Sequence, residues 1–351
     1  MKKANYLKAM CLAGTFFILF LVGWESYLRL RGFTLSYNDD ESLWANARKK
    51  VYDTSPAAPV IVGTSRAKFD IDLETWKDIT GEMPVQLALV GTNPRPVLTD
   101  LASDPDFKGT VLVDVMEPLF FLPDGSFMES SAKKRLAYYP RWSLSQQASF
   151  HINRQLEDHL IFLDEERFSL NSFIKRLPIA SRPGVFVFPN FPIELHYNSP
   201  DGQLAFTDKF LRDTTSQREV QGVWTKLGLL STKRGVGSDT LTHIIQSVAK
   251  SVSQIKARGG NVVFVRFPSS NPVWEAEQQA YPRKLYWDRL LAETGVAGIH
   301  FADYPELSRY KCPEWSHLTP ADAKSFTKDL NRIIETKTKW SMQNAISRNI
   351  Q

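Results

Sequence analysis

The sequence predicts an α/β protein: a parallel sheet sandwiched by helices, preceded by an N-terminal transmembrane helix and interrupted by a mostly helical insertion. Three observations predict it. From Pro59 onward, short apolar runs alternate with helical stretches, the pattern of strands buried on both faces of a parallel sheet. One continuous apolar run, Ala9 to Trp24, has Lys2, Lys3 and Lys8 before it and Arg29 and Arg31 after it. From about Phe120 to Gly235 the strand–helix rhythm breaks.

The apolar run, with Tyr6 and the Tyr27–Leu28 flank, reaches roughly the 20 residues that a bilayer requires. Leu21–Val22–Gly23 is a poor small-x-small cleavage site, so the expectation is an uncleaved anchor. The protein is then single-pass in the inner (cytoplasmic) membrane, with its body in the periplasm or outside the cell. A cleaved signal would leave the body in the same compartment. Asn38 to Lys50 reads as a short helix, with Asp39, Asp40 and Glu41 at its start and Arg48, Lys49 and Lys50 at its end, as the helix dipole favours. Thr54–Ser55–Pro56 breaks it, and the segment reads as a juxtamembrane spacer.

Strands follow at Val60–Val62, Val85–Val90, Thr110–Val115 and Val262–Phe267, with a last one at Gly298–Phe301. Helices are expected over Leu73 to Ile79, Pro94 to Leu101 (entered through prolines), Leu241 to Ala257 (closed by Gly259–Gly260), much of Val273 to Glu293, and Ala321 to Ile334. Lys133 to Arg176 is aromatic-rich and helical in period, and Val185–Phe188 reads as a strand between prolines. The boundaries are an anchor at 1–31, a spacer at 32–57, the α/β domain at 58–119 and 236–337, an insertion or cap at 120–235, and a tail at 338–351. The aromatics Tyr138, Tyr139, Trp142 and Phe150 are expected in its core.

At 351 residues, with 43% hydrophobic and 23% charged content, the chain builds a core without disulfide or metal. A net charge of +5, evenly spread and without a basic run carrying aromatics, gives no nucleic-acid footprint. Cys11 lies in the apolar run, and Cys312 is alone in the body and expected to be inert. No Cys or His spacing suits a metal, so neither metal nor cofactor is expected, and His151, His159, His196, His243 and His300 read as structural.

Chemistry is signalled by two segments. Val60–Ile61–Val62 leads into Gly63–Thr64–Ser65–Arg66, and Glu314–Trp315–Ser316–His317–Leu318–Thr319–Pro320 leads into the closing helix. A serine hydroxyl is a poor nucleophile until a base takes its proton, and the base works best when a third group fixes its tautomer. Ser65 would be the nucleophile at the carboxyl edge of the sheet, where open α/β sheets place ligands. His317 would be the base and Glu314 its orienting carboxylate. Backbone N–H groups after Gly63, that of Ser65 included, can face an oxyanion. Taken singly, Ser65 is a helix cap, His317 a satisfied histidine and Glu314 surface charge; the combination on these elements favours a site. Arg66 has two readings, a binder of an acyl or polymer carboxylate or a structural pair for Asp70 or Asp72, the second favoured.

The α/β-hydrolase elbow requires Gly two residues beyond the serine, where this chain has Ala67. A serine after the first strand, with Glu314-x-x-His317 before the last helix, instead resembles the SGNH (GDSL-like) hydrolase superfamily. The Ser65–Arg66 pair is similar to its membrane-anchored branch, which serves O-acylation of cell-envelope polymers. The resemblance covers roughly 58–118 and 240–337 and not the insertion. It implies a flavodoxin-like sheet and oxyanion donors Gly91 and Asn93 beside Ser65; the bland reading of Gly91 and Asn93 is a turn before the Pro94 helix. The chain departs from the family in having Glu314 for the usual Asp, and no Asn in Asp114–Val115–Met116–Glu117.

Three expectations follow. The first is an anchored extracytoplasmic O-acyltransferase, with an O-acetyl or similar group passed to an envelope or exported polysaccharide and a multi-pass membrane acyltransferase as donor partner. The second is an esterase acting on an envelope polymer with the same residues. The third is a non-catalytic binding or assembly protein on the same fold.

Overall fold

The computed structural model describes residues 2–53, 58–177, 184, 189–233 and 235–338, the first four by backbone alone. The strand expected at Val185–Phe188 and the tail beyond 338 lie outside the described residues. In chain order the strands are β1 (Val60–Val62), β2 (Val85–Gln86), β3 (Thr110–Asp114), β4 (His196–Asn198), β5 (Leu204–Phe206), β6 (Asn261–Arg266) and β7 (Ala297–His300). Five of them form one parallel sheet in the order β2-β1-β3-β6-β7, while β4 and β5 pair as a separate antiparallel hairpin.

Alternation along the strands decides which face each residue covers. Val60, Val62, Val111, Val113 and Phe264 share one apolar cluster with Leu241, Ile244, Ile245 and Val248 of the helix Ser238–Ala257. Ile61, Leu112, Val263 and Val265 share the other with Trp76, Phe326, Leu330 and Ile334, the last three from the closing helix Pro320–Lys337. Both faces are covered, which is why these strands read as unbroken apolar runs. The chain leaves β1 for β2 on one side and returns to β3 on the other, so the order reverses at β1, the position where doubly wound sheets open a crevice.

Several boundaries differ from expectation for local reasons. Regular β2 ends at Gln86, not Val90, because the Gln86 side chain accepts from the Ala88 N–H at 3.0 Å. The chain still runs beside β1, with Leu87 N–H to Ile61 O and Leu89 N–H to Gly63 O both at 2.9 Å. Val273 to Glu293 is two helices, Val273–Ala280 and Trp287–Thr294, separated at Pro282, before which helical geometry is disfavoured. The helix Glu41–Lys50 in the segment read as a spacer is capped by Asp40 rather than beginning at Asn38, and it packs against the α/β domain. Its Trp44 is buried in the first cluster with its indole N–H on Leu87 O at 3.2 Å, and Arg48 pairs with Asp100 and Asp104.

The helix Lys2–Leu30 is long and apolar enough over Tyr6–Leu30 to span a membrane, with mean hydropathy 1.9. Its last turns are tied to the insertion. Glu25 accepts from Ile161 N–H at 3.0 Å, Arg29 donates to His159 O at 2.7 Å, and Leu28 is buried.

Candidate active site

Ser65 is the first residue of a short helix, Ser65–Asp70, that begins three residues after β1. Thr64 caps it, its hydroxyl accepting from Arg66 N–H at 3.2 Å. Asp114 at the end of β3 accepts from both the Thr64 N–H (3.0 Å) and hydroxyl (2.6 Å), which ties the cap to the middle of the sheet. Gly63 is required by crowding: a Cβ there would lie 2.6 Å from that of Asp114 and 2.8 Å from that of Ala67. As the first helical residue, Ser65 has no intrahelical partner for its own N–H.

The segment 314–317 forms a tight turn ahead of the closing helix, with Trp315 at φ +80°. Glu314 Oε1 accepts from the N–H groups of Ser316 (3.1 Å) and His317 (2.6 Å) and lies 3.0 Å from His317 Nδ1. His317 Nε2 lies 2.9 Å from Ser65 Oγ. The three residues therefore form one hydrogen-bonded series from carboxylate to imidazole to hydroxyl, across 252 residues of sequence. The additional methylene of Glu relative to Asp is accommodated because the carboxylate folds back onto its own turn. With Nδ1–H facing Oε1, Nε2 is left as the acceptor for the serine proton, the tautomer that general-base work requires.

Glu314 Oε2 has a partner that the sequence did not signal. It accepts the indole N–H of Trp224, on the insertion helix Thr214–Lys226. Phe69 (ring centroids 4.5 Å), Trp224 (5.9 Å) and Phe206 (6.3 Å) surround the imidazole. These aromatics belong to one cleft of about 250 Å³ into which Ser65 and His317 open. Val90, Phe191, Leu195 and Leu204 supply further apolar wall, and Asp39, Glu166 and His196 its polar end. The insertion thus builds most of the cleft through the hairpin and the Trp224 helix. Burial pushes the His196 imidazole below its ordinary pKa, so it is neutral at neutral pH. A second groove, which includes Glu166, Asn171, Lys175, Asn190 and Phe191, shares Glu166, Phe191 and His196 with the first.

Three expected site residues, Arg66, Asn93 and Gly91, are not among the described residues lining this cleft. Arg66 is fully buried and donates to Glu277 at 2.6 Å and to Ser316 Oγ at 3.3 Å. Its partner is neither Asp70 nor Asp72, and its guanidinium is not among the described residues lining the cleft. Glu277 also pairs with Arg266, which reaches Glu117 at 3.1 Å, so two arginines and two glutamates lie paired beneath the triad. Although burial opposes it, Arg266 and Arg66 hold the Glu277 carboxyl down to about 2. Asn93 is buried, its amide on Glu129 at 3.3 Å and its Oδ1 accepting from Arg95 N–H at 3.0 Å. It organises the turn before the helix Arg95–Ser103 instead of facing an oxyanion. Gly91, at φ +58°, follows the cleft residue Val90 and is held near β1 by the Leu89–Gly63 bond.

Two buried carboxyls support the site from behind. Asp70 accepts the Leu318 N–H at 2.9 Å, and Asp114 holds Thr64. Burial raises the pKa of both, that of Asp70 strongly. Burial likewise raises the Cys312 thiol, so that it stays protonated. Among the described residues no group of three or more His, Cys, Asp or Glu is placed to hold a metal. Comparison of the chain with protein-family models and with curated proteins finds no match.

Proposed function

We propose that the protein is a membrane-anchored serine acyl-transfer enzyme of the SGNH type, working outside the cytoplasm. The observation that carries this reading is the Ser65–His317–Glu314 series, with contacts of 2.9 and 3.0 Å, at the carboxyl edge of the sheet. The sheet order supports it. Counted among sheet strands alone it is 2-1-3-4-5, the flavodoxin-like order, with Ser65 at the switch point.

In the first step Ser65 Oγ attacks the carbonyl carbon of an acyl ester or thioester while its proton passes to His317 Nε2. The tetrahedral oxyanion is met by the Ser65 N–H, with the Gly91 amide as the second donor. The C–O or C–S bond then breaks, and the leaving group takes the proton from His317. In the second step His317 deprotonates an acceptor hydroxyl, which attacks the acyl-serine and releases Ser65. The Glu314 carboxylate holds the imidazole in register. The apolar walls suit a small acyl chain, and the adjoining polar groove suits a carbohydrate hydroxyl. Transfer to an exported or envelope polysaccharide is therefore favoured over hydrolysis. A donor outside the cytoplasm would require a multi-pass membrane acyltransferase as supplier. Esterase action would differ only in water taking the acceptor's place.

The test is covalent trapping of the full chain in detergent with a fluorophosphonate. Labelling that maps to Ser65 and is lost in both Ser65→Ala and His317→Ala supports an activated nucleophile. A folded protein that does not label overturns it.

A further inference from the structure

We infer that the insertion carries a second membrane contact: the face formed by Leu170, Phe173, Ile174 and Leu177 lies in the lipid surface beside the point where the N-terminal helix emerges. This rests on reading Tyr6–Leu30 as a span.

Among the described residues, twelve large hydrophobic side chains are exposed beyond that helix, and seven of them fall between Leu144 and Leu177. Clustering of this kind marks a contact surface rather than ordinary scattered exposure. Leu170, Phe173 and Ile174 stand at i, i+3 and i+4 on the short helix Leu170–Lys175 and so share one face, with Leu177 two residues beyond its end; the four are 74%, 47%, 50% and 57% exposed. Ile152 and Leu156, four apart on the helix Leu144–Glu157, are 65% and 47% exposed.

The anchor lies next to both elements. The chain just after Leu156 receives Arg29 through His159 O and supplies Ile161 N–H to Glu25. Phe168, two residues before Leu170, packs edge-on against Phe33 at 5.2 Å, and Arg167 donates to Thr34 O at 3.2 Å. The exposed faces therefore stand at the level of residues 25–34, where the apolar helix ends. Trp24 and Tyr27 stack there at 5.6 Å, as aromatics do at the headgroup level. Arg29 and Arg31 are exposed around the same region, cations suited to lipid phosphates beside an apolar face. Continuity with the span selects a lipid surface as the occupant.

The test uses the full chain in liposomes. Cys11→Ser removes the exposed thiol, and Cys312 is buried. An environment-sensitive fluorophore is placed singly through Ile174→Cys, Leu170→Cys, Phe127→Cys or Phe16→Cys, and nitroxide-bearing lipid is the quencher. Labels at 16, 170 and 174 are expected to lose most of their emission, and the label at 127 to keep it. If 16 is quenched while 170 and 174 behave like 127, the surface contact is overturned although the span stands. If 16 also escapes quenching, the span fails and the contact with it. If, in native membranes, 174 is shielded from aqueous iodide but not quenched by lipid, a protein covers the face and the lipid assignment is overturned. Either of 170 and 174 suffices if the other variant does not fold.

Discussion

Trp224 donates its indole N–H to Glu314 Oε2, the oxygen of the carboxylate that does not face His317. A residue of the insertion thereby completes the environment of a carboxylate placed by the α/β domain. Oε1 serves the imidazole and two backbone amides, and Oε2 would otherwise be buried without a donor. Such an unpaired oxygen costs roughly 1–3 kcal/mol, more when charged. Trp224→Phe keeps the ring against Phe191 and removes only the donor. It is expected to lower stability by about that amount and turnover by roughly tenfold or more, read as kcat of acyl transfer and as the rate of fluorophosphonate labelling. Unchanged labelling would show that Glu314 needs no second donor.

Replacing Glu314 by Gln keeps the shape but offers an amide, so His317 no longer has a charged partner to fix Nδ1–H. By analogy with the loss seen when a triad carboxylate becomes an amide, turnover should fall by roughly 10³–10⁴-fold. Stability should fall as well, because the amide NH2 would face either the Trp224 indole N–H or the N–H groups of the turn, so turnover is read under conditions where the variant is folded. A residual rate near that of the parent would remove Glu314 from the mechanism.

Gly63→Ala is predicted to disturb the site without touching the triad. The new Cβ meets the Cβ atoms of Asp114 and Ala67, at 2.6 and 2.8 Å, and neither is the movable end of a flexible chain. Overpacking of this kind costs about 1–3 kcal/mol, and relief requires Thr64, and so Ser65, to shift. Chemical denaturation measures the first effect and acyl transfer the second.

The buried ion pairs predict acid sensitivity. Glu277 has a folded-state value of about 2 against an ordinary 4.5, so its contribution is complete above about 4.5 and is lost as pH falls through about 2. Glu277→Gln leaves Arg66 and Arg266 partly uncompensated, which should cost about 3–5 kcal/mol near neutral pH. It should also flatten the melting-temperature profile between pH 5 and 2, roughly the window of that titration.

Asp70 works with the opposite sign. Burial raises its folded-state pKa above the ordinary 3.8, so its contribution is favourable only at low pH and is lost as pH rises. Asp70→Asn keeps an acceptor for Leu318 N–H and removes the cost of burying a charge. It should raise the melting temperature at neutral pH and give no gain near pH 3.5. A loss at neutral pH would show that the ionised form is held more favourably than its burial implies.

The triad was legible in the sequence because each part is encoded locally. A short apolar strand followed by Gly63 and Ser65, and Glu314 three residues before His317 and ahead of a Thr–Pro helix start, need no tertiary information. Trp224 was not legible. Its helix follows a hairpin, β4–β5, with no strong alternating pattern, and it meets Glu314 across 90 residues. Arg66 and Asn93 show the other limit. A polar residue close to a candidate site residue is equally compatible with facing the cleft and with facing the core, and the choice depended on Glu277 and Glu129, which lie far away in sequence. The parallel sheet was clear from its two-sided apolar runs. The edge strand β2 is shorter than its apolar run implies because the chain after Gln86 stays beside β1 without regular strand geometry.

Glu25 and Arg29 bind residues 159–162, and Leu28 is buried, so the N-terminal helix joins the body through direct contacts. A tether of disordered chain would let the cleft sweep a hemisphere whose radius grows with its length; contacts of this kind restrict that sweep. If the apolar helix spans a bilayer, the cleft would be kept near that membrane's surface, and under the proposed function a donor in the same membrane would be met by a two-dimensional search.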